Sequence, residues 1–258
     1  MGGSLRSILP ANWKFAMDNS SGDAYHGYVT HGSARLISVR GNSPAPVADV
    51  FAGSPDRATV HAGNGHGITT TYMGSELNKQ FVNSRDSVVK RCNMEHLAEL
   101  DQRLGPPRSR QVTPNTTNVF PNFTSCLGGS QTLRIWHPRG PKRTEMWSFC
   151  LVDKDAPQEV KDALRKDHML TFSPGGLQEQ DDMNNWQQCT EAASSPIGRK
   201  YLMNQAMGLG HERRSEIVPG VLSHQPSETN QRALYGRWAE IMDAPSWDQI
   251  HLDPKTKF

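Results

Sequence analysis

Between residues 131 and 152 two runs rich in β-branched and aromatic residues, QTLRIWHP and EMWSFCLV, flank the turn-rich PRGPKRT. Together they predict an antiparallel hairpin. The preceding NTTNVFPNF predicts a neighbouring strand, and NGHGITTTYM, residues 64–73, a further strand entered through a glycine turn. Helical periodicity runs from Asp86 to Gly105 through Val89, Met94, Leu97 and Leu100, and the expected task of this segment is to cover one side of the core. DAPQEVKDALRKDHM opens with an Asp cap and Pro157 and places Val160, Ala163 and Leu164 on one stripe. Residues 178–191 predict another helix, and SETNQRALYGRWAEIM carries Leu234, Trp238, Ile241 and Met242 at helical spacing as expected core contacts. Residues 32–60, rich in Ser, Gly, Pro and Ala, predict a long surface excursion. Strands mixed with helices, without regular βαβ alternation, predict one α+β domain with helices packed over an antiparallel sheet.

Bulk properties narrow the function. The 28 Lys and Arg against 26 Asp and Glu leave a net charge of +2, which gives no footprint for nucleic acid. Basic pairs such as Lys142-Arg143 and Arg213-Arg214 are short enough for ordinary solvated surface. No apolar run approaches the roughly 20 residues a membrane helix needs, and the N-terminus lacks the pattern of a signal peptide. A cytoplasmic protein is expected, in which the sequons at Asn115 and Asn122 carry no meaning. Cys92, Cys126, Cys150 and Cys189 stand far apart, with no Cys-x-x-Cys and no Cys-x-His, so free thiols are expected.

The chemistry concentrates in GDAYHGYVTH, residues 22–31. Histidines scattered along a chain are most often hydrogen-bonded residues without a ligand, but here the spacing is selective. Asn19, Asp23 and His26 share one face of a helix of about 3.6 residues per turn. His31 would sit about 140° away on an unbroken helix, and meets His26 at one ion only if the helix loosens or ends near Val29-Thr30. Two such imidazoles want a third ligand. TFSPGGLQEQDDMNNWQQ, residues 171–188, offers Asp181 and Asp182 just past a flexible Ser-Pro-Gly-Gly. Two His and one carboxylate suit a non-haem Fe(II) oxygenase, although zinc accepts the same set.

The ordered series Asn-Trp-Lys, Gly-Asp-Ala-Tyr-His-x-x-x-x-His, Val-Phe-Pro-Asn, Trp-His-Pro-Arg-Gly-Pro and Thr-Phe-Ser-Pro-Gly-Gly-x-x-Glu-Gln-Asp-Asp-x-x-Asn-Trp resembles the catalytic domain of Rieske-type aromatic-ring-hydroxylating dioxygenase large subunits, the naphthalene and biphenyl dioxygenase type. The resemblance runs from Asn12 to Trp247. It implies a helix-grip fold around a cavity, with mononuclear Fe(II) held by His26, His31 and Asp182. Asp23 would match the acid that links the iron-bound His to a cluster-bound His of the neighbouring subunit, and Asn19 would fall beside the iron. Phe172, Gln178 and Asn118 match positions lining the substrate pocket. Position 178 is a large aromatic in naphthalene-type enzymes, and Ser20-Ser21 replace bulkier apolar residues, so a more polar or roomier pocket is expected within a mostly apolar cavity.

The implied reaction uses O2 and external electrons to convert an aromatic hydrocarbon to a cis-dihydrodiol. The implied partners are a Rieske-domain chain, a ferredoxin or reductase, and a small beta subunit in a trimer-based assembly. The family's Rieske domain holds a [2Fe–2S] cluster with two Cys and two His, and nothing in this sequence supplies them. A single catalytic domain spanning 1–258, with the cluster coming from a partner domain or subunit, is the expectation. Two alternatives remain open at this point: a non-catalytic ligand-binding or assembly module descended from such an oxygenase, and a zinc hydrolase, which lacks an obvious general-base Glu beside the His pair.

Overall fold

A computed structural model describes residues 3–23, 25–34, 57–72, 86–105, 109, 112–127, 131–214 and 218–251. Among the described residues nine strands form one antiparallel sheet: β1 Leu5–Leu9, β2 Arg57–Gly63, β3 His66–Tyr72, β4 Val112–Val119, β5 Phe123–Cys126, β6 Thr132–Pro138, β7 Thr144–Cys150, β8 Arg213–Arg214 and β9 Val221–His224. Their order is β1-β7-β6-β5-β4-β3-β2-β9-β8. The helices are α1 Trp13–Gly22, α2 His26–Val29, α3 Ser87–Glu95, α4 Leu97–Leu104, α5 Gln158–Phe172, α6 Leu177–Ser194 and α7 Thr229–Asp243.

The expected hairpin is β6-β7, in register from Thr132 opposite Cys150 to Pro138 opposite Thr144. Alternation fixes which side chains face inward. Thr132, Arg134 and Trp136 are buried on β6, and Thr144, Met146 and Ser148 on β7. Asn12 caps α1, its side chain accepting from the Lys14 N–H at 3.0 Å. The helix then lays Ala16 and Met17 into a core with Leu9, Ala11, Trp136, Met146, Trp186 and Leu234. Trp136 and Trp186 meet edge to face at 5.2 Å between centroids, tying sheet to α6.

Several expectations need correction. The segment 86–105 is two helices broken at His96, and only Val89 of it is buried. It lies against α5 rather than forming a wall of the main core. On α7, Leu234 is buried but Met242 is 64 % exposed; the inner face carries Asn230, Gln231 and Arg237 instead. A polar inner face suits its task, because Asn230 Nδ2 donates to the carbonyls of Ser21, at 2.5 Å, and Ile68, at 3.2 Å. The close approach demands Gly67: a Cβ there would fall 2.7 Å from Asn118 Oδ1 and from Asn230 Nδ2. No Asp cap starts α5, whose first flanking residue is Pro157. Of the expected excursion 32–60, residues 32–34 are helical, 57–60 begin β2, and 35–56 lie outside the described residues. No disulfide joins the four cysteines among the described residues. Among the described residues no helix is long and apolar enough to cross a membrane.

Asp18, on α1 between the core and α7, carries a testable cost. Enclosure raises its carboxyl from 3.8 to about 7, with the charges of Asp23 and Glu228 adding and a hydrogen bond from Tyr235 opposing. A carboxyl whose folded pKa lies above its unfolded value favours the fold at low pH and loses that contribution as pH rises through about 7. The gap corresponds to roughly 4 kcal/mol at most. Asp18→Asn should therefore raise the urea midpoint at pH 8 and flatten its dependence between pH 4 and pH 8, a range that spans nearly all of the shift. A variant with an unchanged pH slope would reject the burial of a neutral acid at this position.

Candidate metal centre

Local structure at GDAYHGYVTH differs from one continuous helix. The first helix ends at Gly22 with Asp23 as its cap (φ −71°, ψ 80°), and α2 restarts at His26 and ends at Val29. The chain thus breaks before His26 as well as at the expected Val29-Thr30. Asp23 uses the break: its Oδ1 accepts the backbone N–H of His26 at 2.9 Å. Its carbonyl oxygen accepts from His26 Nδ1, which also lies 3.4 Å from Oδ1.

That contact fixes a proton. A carbonyl oxygen can only accept, so Nδ1 carries the hydrogen and Nε2 of the neutral ring keeps a free lone pair. Nε2 points to Asp182 Oδ1 at 3.6 Å, and His31 Nε2 reaches the same oxygen at 3.3 Å. These separations are too long for good hydrogen bonds. The candidate ligand atoms of His26, His31 and Asp182 all lie within 4.8 Å of one another. Asp182 Oδ1 and His31 Nδ1 are buried without a hydrogen-bond partner. Burial of His26 on its own would lower its pKa, but the hydrogen bond and charge of Asp23 and the charge of Asp182 outweigh it and hold the imidazole above its usual value. A site that favours positive charge between a carboxylate and two imidazoles, yet spaces them too widely to bond each other, suits a divalent cation.

The α6 helix selects between its two acids. Asp182 is buried, whereas the Asp181 side chain is 36 % exposed and faces the other nitrogen of His31, at 3.5 Å. Asn185, three residues along α6, donates through Nδ2 to Thr30 Oγ1 at 2.6 Å and ties the helix to the end of α2. Clamping both segments keeps the three side chains together.

Beside them lies a cavity of about 180 Å³, comparable to one of about 150 Å³ that admits benzene. Asn19, Asp23, His26, His31 and Asp182 line it, together with Phe172 and Gln178. Asn118 does not: it is buried on β4 opposite Gly67 of β3, and its Nδ2 donates to the Gly65 carbonyl at 2.7 Å. The expected mostly apolar wall is also absent, because Arg57, Arg134, Thr69, Thr116, Ser125 and Gln225 line the cavity too.

Arg134 and Glu179 escaped sequence reasoning. Arg134 Nη2 donates to Glu179 Oε2, and both side chains are buried. Complete burial raises the Glu179 carboxyl despite that partner. The guanidinium carbon lies 4.5 Å from the centre of the Phe172 ring. Two signals were available: a charge in the inward phase of QTLRIWHP, and an acid one turn before Asp182 on the same helix face.

Comparison with known proteins bears on the same residues. Residues 3–244 match the family model described as the ring hydroxylating alpha subunit, catalytic domain. The chain is 35 % identical over 245 residues to the biphenyl 2,3-dioxygenase subunit alpha of Rhodococcus jostii (strain RHA1), covering 93 % of this chain and 52 % of that one. It is 33 % identical over 252 residues to the benzene 1,2-dioxygenase subunit alpha of Pseudomonas putida, covering 94 % and 54 %. Among solved structures it is similar to naphthalene 1,2-dioxygenase with indole bound in the active site, with TM-score 0.82 and 25 % identity over 97 % of this chain and 56 % of that one. The enzyme of that name from Rhodococcus sp., also bound to indole, gives TM-score 0.73 and 31 % identity over 95 % and 57 %. The chain spans about half the length of the curated relatives it matches.

Proposed function

The chain belongs to the ring hydroxylating alpha subunit family, at its catalytic domain, and from that premise we propose that it dihydroxylates an aromatic ring with O2, giving a cis-dihydrodiol, at a mononuclear Fe(II) held by His26, His31 and Asp182. The observation that carries the metal assignment is the convergence of two imidazole Nε2 atoms on a buried Asp182 oxygen that finds no donor. Two His and one carboxylate leave coordination positions open, the arrangement of non-haem Fe(II) oxygenases. When bound, the iron supplies dioxygen and one-electron chemistry that no side chain here can perform.

The chain's own residues supply position and charge. Asp23 holds the His26 ring through Nδ1 and keeps Nε2 available. Asn185 and Thr30 fix the spacing between α6 and α2. Phe172 offers a flat wall against which a ring is oriented, Asn19 stands on the cavity wall beside the ligands, and Gln178 offers an amide to a substituent. Electrons are external to these residues: no Cys-x-His or Cys-x-x-His pair stands within the 258. A [2Fe–2S] cluster therefore serves this site from a partner domain or subunit, fed by a ferredoxin or reductase in the cytoplasm, within a trimer-based assembly that includes a small beta subunit. Asp23, with its side chain 16 % exposed, is the group such a partner would meet.

Metal analysis after anaerobic purification tests the reading, followed by incubation with benzene, a Rieske-containing partner, reductase, NADH and 18O2. Iron in the protein and both labelled atoms in a cis-diol are expected. Zinc in place of iron would replace the reading with a hydrolase, and a metal-free protein that still binds aromatic ligands would replace it with a binding module.

A further inference from the structure

We infer that Arg134 and Glu179 are positioning residues for Asp182: the buried pair pins the start of α6 to β6 and so sets where the Asp182 carboxylate meets the two imidazoles. The inference rests on the metal assignment proposed above and concerns the residues that hold that carboxylate in place.

The start of α6 is anchored from the sheet rather than by a cap. Its N-cap is Gly176, which makes no side-chain capping bond, and the following Leu177 is exposed. Glu179 is the first buried side chain of the helix, and Asp182, Trp186 and Thr190 continue the same stripe at helical spacing. The members flanking Asp182 all have partners outside α6. Glu179 takes a hydrogen bond from Arg134 Nη2 on β6, Trp186 meets Trp136 of the same strand edge to face, and Thr190 Oγ1 accepts the Asn12 N–H at 2.8 Å. Asp182 is thus carried between two anchors on β6, about one turn after the first. The Arg134 guanidinium carbon also lies 4.5 Å from the centre of the Phe172 ring at the end of α5, so one side chain braces both sides of the turn between the helices.

Stability does not account for this pair. Both side chains are buried, and burial works against the charged form of Glu179, as does the nearby charge of Asp182. Glu179 Oε1 and Arg134 Nε find no hydrogen-bond partner among the described residues. An interior ion pair with unfilled bonds is commonly matched in stability by apolar side chains of similar volume. What the pair supplies is direction, because a guanidinium on a carboxylate has a defined geometry and apolar burial has none. Metal ligands need that direction, since they must be held within about 0.5 Å of the working arrangement by the residues behind them.

Co(II), whose visible absorption reports the geometry of its ligands, is the probe, titrated anaerobically into the metal-free 258-residue chain. The double variant Arg134→Met with Glu179→Leu removes both charges together, which buried pairs tolerate better than loss of one partner. Metal-free, it should melt no lower than the parent, yet bind Co(II) about 10–100-fold more weakly, the range for losing support behind a ligand, and with an altered spectrum. Arg134→Lys keeps the charge without the fork and should fall between the two in affinity. Thr190→Val is the structural comparison: it deletes the hydroxyl that accepts the Asn12 N–H at the far end of the same stripe, so it should lower the melting temperature and leave Co(II) affinity and spectrum as in the parent. Parental affinity and spectrum in the double variant would overturn the proposal. So would a loss in Thr190→Val as large as in the double variant, because loosening α6 anywhere would then suffice. Should the double variant not fold, Arg134→Lys decides, and parental affinity and spectrum there overturn the proposal. Co(II) binding that survives His26→Ala removes the metal centre and this inference with it, whereas binding lost in His26→Ala but unchanged in the double variant removes this inference alone.

Discussion

Alanine at His26, His31 or Asp182 should each strip the chain of bound iron while leaving it folded. Each change removes one of the three candidate ligand side chains that, among the described residues, lie within 4.8 Å of one another. The loss in affinity should exceed the ~10–100-fold expected for losing a group behind a ligand. Stability separates metal loss from unfolding. Asp182 Oδ1 is buried without a donor, and such an acceptor costs about 1–3 kcal/mol, so metal-free Asp182→Ala should melt no lower than the metal-free parent. Iron content by absorption spectroscopy and melting by circular dichroism provide the two measurements. Full iron occupancy in any of the three would remove that residue from the proposed set. Asp181→Ala serves as the comparison, since its side chain is 36 % exposed and faces the other nitrogen of His31, and it should retain iron.

The second large effect concerns the electron supply and Asp23. With reductase, NADH, O2 and an aromatic substrate, the 258-residue chain should bind the substrate but form no sustained product. A separately supplied Rieske-containing subunit should restore turnover. In that assembly Asp23→Asn should keep its iron, because the His26 contact through the backbone carbonyl of residue 23 does not depend on the carboxylate. Coupled turnover should nevertheless fall by about 10–100-fold, the range for acids that orient a ligand histidine. Undiminished turnover in Asp23→Asn would exclude the acid from the electron route, and repeated turnover by the chain alone would show that its electrons need no cluster.

Much of the site was legible because its signals are local. Two imidazoles five apart, an acid three before the first, and an Asp-Asp pair after a Gly-Gly are visible without a fold. Even the end of the His-bearing helix near Val29 follows from β-branching and flanking glycines. The break at Asp23 was not legible, since Asn19, Asp23 and His26 obey helical spacing whether or not the helix is continuous. Its cause is a side-chain hydrogen bond from the His26 N–H to Asp23 Oδ1 that competes with the helix ladder.

Burial of α7 shows the same limit. Its apolar spacing pointed to Leu234, Trp238, Ile241 and Met242, but the face packed inward carries Asn230, Gln231 and Arg237 beside Leu234. Periodicity reports that a helix has faces, while the partner decides which face is buried. Here the partner is backbone, and the Ser21 and Ile68 carbonyls need donors.

By itself, the sequence determined the antiparallel hairpin at β6-β7, the α+β class, and the identities of the residues that can ligate a cation, because alternation, helix periodicity and ligand chemistry are properties of short segments. The resemblance already pointed to Asp182 over Asp181; only the tertiary structure decided that Asn118 is spent on the Gly65 carbonyl and that Arg134 stands in the cavity wall with Glu179 behind it. Those outcomes depend on which elements lie opposite one another across the sheet, and burial sets the energy of a charge or a lone pair only once its neighbours are in place.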